Sequence, residues 1–501
     1  MSSLSSSRIH SRRSHKTGFL VDFHFRLRKD IPFNRRIQQL SLSLDRNFRR
    51  NVDYYGDKYS KIRRFLDATW SLFEGLILPG SSEPLRISRD FVAISAERLR
   101  PKVYVFAGSK ESRSQFAGLR EFGPSCHSRS LPGCSSRSAN RTARPLRRLA
   151  LSLKGPKQRG QYNFPGFTEL FKTNLEIDAN PIVLADLSPH SMELALQSAN
   201  TARKTSPQVL PVLVLPTGDD NGYLAQKAYF SHAGLPTQVC TLRILEDDES
   251  LKWAIANLAL QIFCKAGGKP WKVRPTAERS LIIGVSQSHK SRLVGAKVQI
   301  DKYFAFSVLT DSSGLFQQIQ ILSDSPDHST YVTALRVNLK QILEDSAGTF
   351  NRVVIHTFLQ AEAPGNRRHP ENHPRGCPGC RSFEVQVLRH QGEPPEPVLW
   401  RHRSVNSLVP YEATKIRLGP YEYLVWFEGI YPDRPTVTKA FPGPTHLQFL
   451  RVTDQPAEPA EERELLQDLV NLSGANWRGF NAKRALSPNS PFGMFSYTSN
   501  K

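Results

Sequence analysis

The sequence predicts an α/β protein made of two successive parts with different sheet types. Between residues 176 and 275, short apolar runs alternate with helical stretches, the order of a parallel sheet with crossover helices. After Pro270, three strand-like runs precede a helix and then another strand, an antiparallel meander continued in parallel. A length of 501 residues leaves room for roughly two to four domains.

Taken in order, residues 18–110 hold strand-like pieces, FLVDFHFRLR and RPKVYVFAG, around KIRRFLDATWSLFEGLIL. In that middle piece Ile62, Phe65, Leu66, Trp70 and Phe73 recur at helical spacing, which predicts a core-facing helix. Residues 123–161 are rich in Ser, Arg, Gly and Pro and almost free of acids, so a loop or linker lying along a phosphate backbone is expected. NPIVLADLS and QVLPVLVLPTGDD read as strands with the helix PHSMELALQSANTAR between them. The helices NGYLAQKAYFSHAG and LKWAIANLALQIFCKAGG follow, the first closing on a glycine suited to a C-cap. SLIIGVSQS, AKVQIDKYFAFSVLT and GLFQQIQIL form the meander, TALRVNLKQILEDSA a helix and NRVVIHTFLQ the fourth strand. That order is the one found in ribonuclease-H-like α/β layers. EVQVLRH, YLVWFEGI and THLQFLRVT add strands, and EERELLQDLVNLSG a late helix.

The formal net charge is +23, and residues 1–160 carry 33 Lys and Arg against 12 Asp and Glu. Such an excess favours polyanionic partners, nucleic acid or an acidic membrane surface, and says nothing about fold. For the first fifty residues a solvated basic face accounts for it equally well. No apolar run is long enough to span a membrane, and the first residues lack the apolar centre of a secretory signal. Apart from Cys377 and Cys380 the six cysteines are scattered, which suits a reducing cytoplasm.

Two constellations carry possible chemistry. Tyr223 and Lys227 lie four apart on a predicted helix, Gln238 follows the turn, and Lys265 ends the next helix. Two ammoniums, a phenol and an amide are the parts needed to hold a terminal phosphate, although the same spacing also decorates ordinary surface helices. His369, His373, Cys377 and Cys380 form H-x3-H-x3-C-x2-C in a Pro/Gly-rich stretch. Two imidazoles and two thiolates suit a tetrahedral zinc ion, but the short link between halves fits a variable surface insertion as well.

The string Y-x3-K-x6-GLPTQ from Tyr223, then KAGGKPW and LIIGVS, resembles the MID-to-PIWI passage of short prokaryotic Argonautes. LREFGP (Leu119–Pro124) and LSGANWRGFNAKR near residue 480 resemble further motifs of that family. The resemblance implies a Rossmann-like MID domain followed by a ribonuclease-H-like PIWI domain. It divides the chain into a basic region 1–104, a linker or first part of the lobe 105–175, MID 176–275 and PIWI 276–501. It makes Tyr223, Lys227, Gln238 and Lys265 the anchors of a guide strand's 5′ phosphate, with Mg²⁺ a candidate companion. Lys269 and Trp271 are neighbours, the Trp read as core.

Active members of the family carry metal-binding carboxylates in I-G-x-D and I-Y-R-D segments. The matching stretches here read Ile283-Gly284-Val285-Ser286 and Ile355-His356-Thr357-Phe358, so Ser286 and Phe358 stand where carboxylates are needed. The resemblance therefore implies a catalytically inactive binding protein. Asp301, Asp311 and His446 remain as possible substitutes, though a lone acid at a strand end is usually a turn residue. The implied partners are a short 5′-phosphorylated guide, RNA favoured over DNA, and a complementary target, DNA favoured. A companion protein is implied too, with an APAZ region fused to a nuclease, TIR or sirtuin-like effector, in defence against plasmids or phage. A metal-dependent nuclease with a rearranged carboxylate set, and a basic nucleic-acid binder without a guide, are the competing readings.

Overall fold

The computed structural model describes residues 2–11, 16–25, 54–77, 80, 82–84, 95–126, 131–137, 143–155, 164–177, 182–184, 186, 188–205, 209–216, 220–276, 280–294, 297–325, 327–346, 348–350, 352–357, 384–390, 410–419, 421–430, 444–451 and 459–480. They fall into two compact units. One comprises Lys102–Arg274 with Gly474–Ala482; the other comprises the residues before Lys102 and Pro275–Ser473. The chain starts with the antiparallel strands β1 (Ser2–Ser11) and β2 (Lys16–Phe25), then helix α1 (Tyr54–Thr69) and the short strand β3 (Glu97–Arg98). In α1 and the turn after it only Ile62 of the predicted apolar stripe is buried, while Phe65 and Leu72 are exposed. A 3.6-residue period aligns such a stripe on one face but does not guarantee a layer to cover its whole length.

The first unit opens with β4 (Tyr104–Val105), β5 (Glu111–Ser112) and α2 (Gln115–Phe122). Next come β6 (Leu131–Arg137), α3 (Ala143–Lys154), α4 (Phe167–Phe171), β7 (Leu175–Ile177), β8 (Ile182–Val183) and α5 (Pro189–Thr205). It closes with β9 (Leu210–Leu215), α6 (Asp220–His232), β10 (Gln238–Thr241), α7 (Leu242–Glu246), α8 (Asp248–Lys265) and β11 (Lys272–Val273). The main sheet runs β10-β9-β6-β7, every pair parallel, as the strand–helix alternation predicts. Five of the six residues of β9 are buried, the continuous apolar run of a strand covered on both faces. Met192, Ala195 and Ala199 of α5 follow helical spacing and pack with Leu213, Phe230 and Leu235.

Residues 123–161 depart from the expected loop. Leu131–Arg137 is the inner strand β6, and Ala143–Lys154 is a helix whose Leu146, Leu149 and Leu153 are buried. LPGCSSR contains one large apolar residue, so its place in the sheet rests on backbone pairing with β7 and β9 rather than on side-chain pattern.

The second unit is built on β12 (Ser280–Val294), β13 (Lys297–Asp311), β14 (Phe316–Ser325), α9 (His328–Asp345), β15 (Arg352–Thr357) and β16 (Glu384–His390). It is completed by β17 (Thr414–Gly419), β18 (Glu422–Trp426), β19 (Thr445–Arg451) and α10 (Pro459–Leu472). Nine strands form one sheet in the order β14-β13-β12-β15-β16-β19-β18-β17-β3. The expected meander is present: β12 to β13 to β14 antiparallel, then α9, then β15 parallel to β12. Leu281, Ile283 and Val285 alternate along β12 and join Leu322, Tyr331, Ile342 and Val353 in one core. Asp327 caps α9, its carboxylate accepting from Ser329 Oγ at 2.6 Å and from Thr330 N at 2.7 Å, and these hydrogen bonds hold its pKa down at about 2.

Candidate functional site

Helix α6 and strand β10 bring the first constellation together. The helix ends in a Schellman motif, with Leu235 N donating to Phe230 O at 2.9 Å and Gly234 N to Ser231 O at 3.0 Å. Gly234 adopts φ +70° there, which turns the chain back so that Thr237 and Gln238 lie beside the helix. The Lys227 ammonium donates to the Thr237 carbonyl at 2.5 Å. Lys265, at the end of α8, donates to the Gln238 amide oxygen at 2.6 Å, and the two lysine amino groups are near enough to shift each other's protonation.

Tyr223, one turn before Lys227, is 41% exposed, and its ring centroid lies 5.9 Å from the Lys227 nitrogen. All four sequence-derived residues thus meet at one place, Gln238 buried and both lysines half-buried. Neither lysine is paired with a carboxylate among the described residues. Burial lowers the Lys227 pKa; burial first and then the neighbouring Lys227 charge bring Lys265 down to about 7. Two amines crowded without an acid form an anion-demanding site.

Gln226 and Thr237 were not singled out by sequence, yet both belong in this description. Gln226 is 1% exposed with neither amide atom partnered, and the buried Thr237 hydroxyl is also unpartnered. Gln226 lies four residues before the buried Phe230, so a polar residue within an apolar stripe was the available signal. Trp271 is fully buried, donating from Nε1 to Gly474 O at 3.0 Å, as its reading as core requires; Lys269 is exposed. The NWRGF segment packs on α8, the helix that carries Lys265. Phe480 N donates to Asn257 Oδ1 at 3.0 Å, and Gln261 Nε2 to Arg478 O at 2.9 Å.

In the second unit the parallel register of β12 and β15 pairs Ile283 with Ile355, Gly284 with His356 and Val285 with Thr357. Ser286 is the next residue of β12, and Phe358 follows the last described residue of β15. His356 is buried, which lowers its pKa to about 4 and keeps it neutral. Asp311 pairs with Leu281, and its carboxylate accepts from Ser313 N at 2.9 Å and Leu315 N at 3.1 Å, holding the turn into β14. Asp301 falls at the bulge opposite Lys290 and Ser291. Each acid is thus four to five strand residues, roughly 15 Å, from the level of Ser286. The side chains of Ser286, Asp301 and His446 lie outside the described residues, as do Phe358, His369, His373, Cys377 and Cys380 altogether. Among the described residues no group of His, Cys, Asp and Glu is placed to hold a metal ion, and no helix is long and apolar enough to cross a membrane.

The Piwi domain family matches residues 210–357. A Piwi protein of Archaeoglobus fulgidus is 23% identical over 299 residues, covering 54% of this chain and 64% of that protein. Piwi-like protein 1 of Danio rerio is 31% identical over 113 residues, 22% of this chain and 13% of its own. A Clostridium butyricum Argonaute, solved with a guide DNA and a 19-mer target DNA, superposes with a TM-score of 0.57 at 14% identity, covering 95% of this chain and 61% of that one. The A. aeolicus Argonaute gives 0.55 at 13% identity, covering 96% and 75%. Marinitoga piezophila Argonaute, solved with a 5′ OH guide RNA, gives 0.55 at 11%, covering 85% and 61%. The chain thus spans less than two thirds of the length of several proteins it matches. Residues 210–357 thus match the Piwi domain, and the chain is similar to Piwi proteins in sequence and to Argonautes in fold.

Proposed function

We propose that this chain holds a short guide strand by its 5′ phosphate between Lys227 and Lys265, and pairs it with a complementary strand without cutting it. The observation that carries the reading is the lysine pair. Two neighbouring amines in a half-buried site disfavour full protonation of the pair, and a phosphate bearing −1.5 to −2 charges lets both be ammonium. Gln238 orients Lys265, Tyr223 offers an exposed phenol one helical turn from Lys227, and the unpartnered Gln226 and Thr237 adjoin Lys227 and Gln238 in sequence. A magnesium ion does not fit the described donors: the amide oxygen of Gln238 is taken by Lys265, and no carboxylate is present among them. Binding through the lysines alone is therefore the reading here.

Sequence would be read by base pairing, with protein contacts going to phosphate and sugar. The guide is RNA and the target DNA in this reading. The reading without cleavage is supported by Ser286 and Phe358 standing where the family resemblance asks for carboxylates, and by the turn role of Asp311. A non-cutting complex needs a partner to act on its signal. By its resemblance to short Argonautes, that partner is an APAZ-containing protein with a nuclease, TIR or sirtuin-like effector, serving prokaryotic defence in the cytoplasm.

The test loads the purified chain with RNA and DNA strands of one sequence bearing either a 5′ phosphate or a 5′ hydroxyl. Phosphorylated strands should bind at least about tenfold more tightly, and Lys227→Gln should remove that preference while sparing hydroxyl strands. Equal binding of both ends by the unaltered protein sinks the pocket.

A further inference from the structure

Lys265 closes α8, at the end where a helix runs out of hydrogen-bonding partners and tends to fray. Its ammonium nonetheless keeps a half-buried place on Gln238 beside Lys227. That last turn is held by a segment far along the chain, Gly474–Phe480, which belongs to the same compact unit.

Asn257, Gln261 and Lys265 follow one another every four residues and so share one stripe of α8. The segment grips the first two. Phe480 N donates to Asn257 Oδ1 at 3.0 Å, and Gln261 Nε2 donates to Arg478 O at 2.9 Å. Gly479, between them, runs so close to the helix that an added Cβ would stand 2.9 Å from Asn257 Oδ1, so glycine is required there. At its start the segment grips the chain on the far side of Lys265. Gly474 O accepts from the buried Trp271 Nε1 at 3.0 Å and from the buried Gln115 Nε2 at 3.2 Å. The Phe480 ring adds apolar packing, 5.1 Å from Phe116 and 5.8 Å from Trp271 between ring centroids. Lys265 therefore stands between two anchored points, Gln261 four residues before it and Trp271 six after it.

We infer that Gly474–Phe480 is a brace across the end of α8, and that Asn257 and Gln261 are positioning residues that hold Lys265 at the proposed phosphate site. The grip on Asn257 and Gln261 reaches Lys265 through the helix. The inference rests on the phosphate reading for its purpose, although the bracing itself is measurable without nucleic acid. Burial, and then the Lys227 charge, hold the Lys265 pKa at about 7. Lys227 on α6 and the adjoining Cys264 are the titratable groups that bear on it, and burial keeps the Cys264 thiol neutral. With the brace released, the last turn frays into water and the amine moves back towards its ordinary 10.5.

The experiment follows acetylation of Lys265 by acetic anhydride in the full chain across a range of pH, quantified by peptide mass spectrometry. An amine reacts only when unprotonated, so the titration midpoint of the rate reports its pKa. In the unaltered protein that midpoint should lie at about 7. Gln261→Ala, which keeps a good helix former, and Gly479→Ala, which pushes the segment off Asn257, should each raise it by about one pH unit or more. Lys252→Gln, exposed on α8 outside that stripe, should leave it unchanged. Heat denaturation identifies the variants that remain folded. A purely architectural segment would lower the melting temperature and leave the Lys265 titration in place, so an unshifted titration in folded Gln261→Ala and Gly479→Ala overturns the brace. A midpoint close to 10.5 in the unaltered protein overturns it as well. The phosphate reading is scored separately: shifted titrations together with equal binding of phosphate- and hydroxyl-ended strands keep the brace and remove its proposed ligand.

Discussion

Val285 lies directly opposite Thr357 in the parallel pairing of β12 with β15, so Ser286 continues β12 just past that pair and Phe358 follows Thr357 in the sequence. A two-metal nuclease draws its ligands from such neighbouring strand ends, and neither residue supplies a carboxylate. Ser286→Asp alone should give no cleavage of a labelled target in Mg²⁺ or Mn²⁺, because the companion position still carries Phe358. Chelator-sensitive cutting by the unaltered protein, abolished on changing Asp301, would instead reinstate the rearranged nuclease.

The lysine pair makes phosphate binding depend on pH. Without ligand, Lys265 loses its proton near pH 7, and a bound phosphate dianion raises that pKa, so binding takes up a proton above pH 7. The phosphate itself reaches its dianionic form above about pH 6. The preference for a 5′ phosphate should therefore peak near pH 7 and fall by up to about tenfold per unit towards pH 9. Lys265→Arg, charged throughout, should flatten that fall. A ratio constant from pH 7 to 9 in the unaltered protein would remove Lys265 from the site.

Gln226 carries two unpartnered polar atoms in a 1% exposed side chain. Replacing it by Met, of similar length and without a desolvated amide, should raise stability of the ligand-free protein by about 1–3 kcal/mol in urea unfolding. If the same variant also weakens binding of phosphorylated strands, Gln226 serves the ligand directly. A drop in stability would mean that the amide is satisfied in the free protein.

Asp468 on α10 is buried, and desolvation raises its pKa to about 6 despite a 2.7 Å hydrogen bond from Thr276 N. Since the folded value exceeds the unfolded one, stability is fully present below about pH 4 and is lost as pH rises through 6. Asp468→Asn keeps an oxygen acceptor for Thr276 and should be more stable at pH 8 by about 1–3 kcal/mol, with the slope between pH 4 and 6 reduced. Thermal midpoints across that range would decide it; an unchanged slope rejects the assignment.

Much of the fold could be read from periodicity. The alternation of Leu281, Ile283 and Val285 and the helical spacing of Met192, Ala195 and Ala199 each name the face that packs. β6 escaped because LPGCSSR has almost no apolar side chain; its position is fixed by pairing with strands far along the chain. The stripe on α1 was visible, whereas its exposure was not, since periodicity says nothing about what lies opposite. At the site, Tyr223 and Lys227 were placed by their spacing of four. The contact of Lys227 with Lys265 depends on how α6 and α8 pack, which no local pattern encodes.

The first unit leaves off at Arg274 and resumes at Gly474, so its covalent path is interrupted by about 200 residues. At a synthesis rate of about 5–20 residues per second, α8 emerges from the ribosome roughly 10–40 s before the segment that contacts Asn257 and Gln261. Until then the indole nitrogen of Trp271 also lacks its acceptor on Gly474. A nascent chain stopped within the nine-stranded sheet would carry Lys265 on a helix whose packing is unfinished, a natural point of engagement for chaperones.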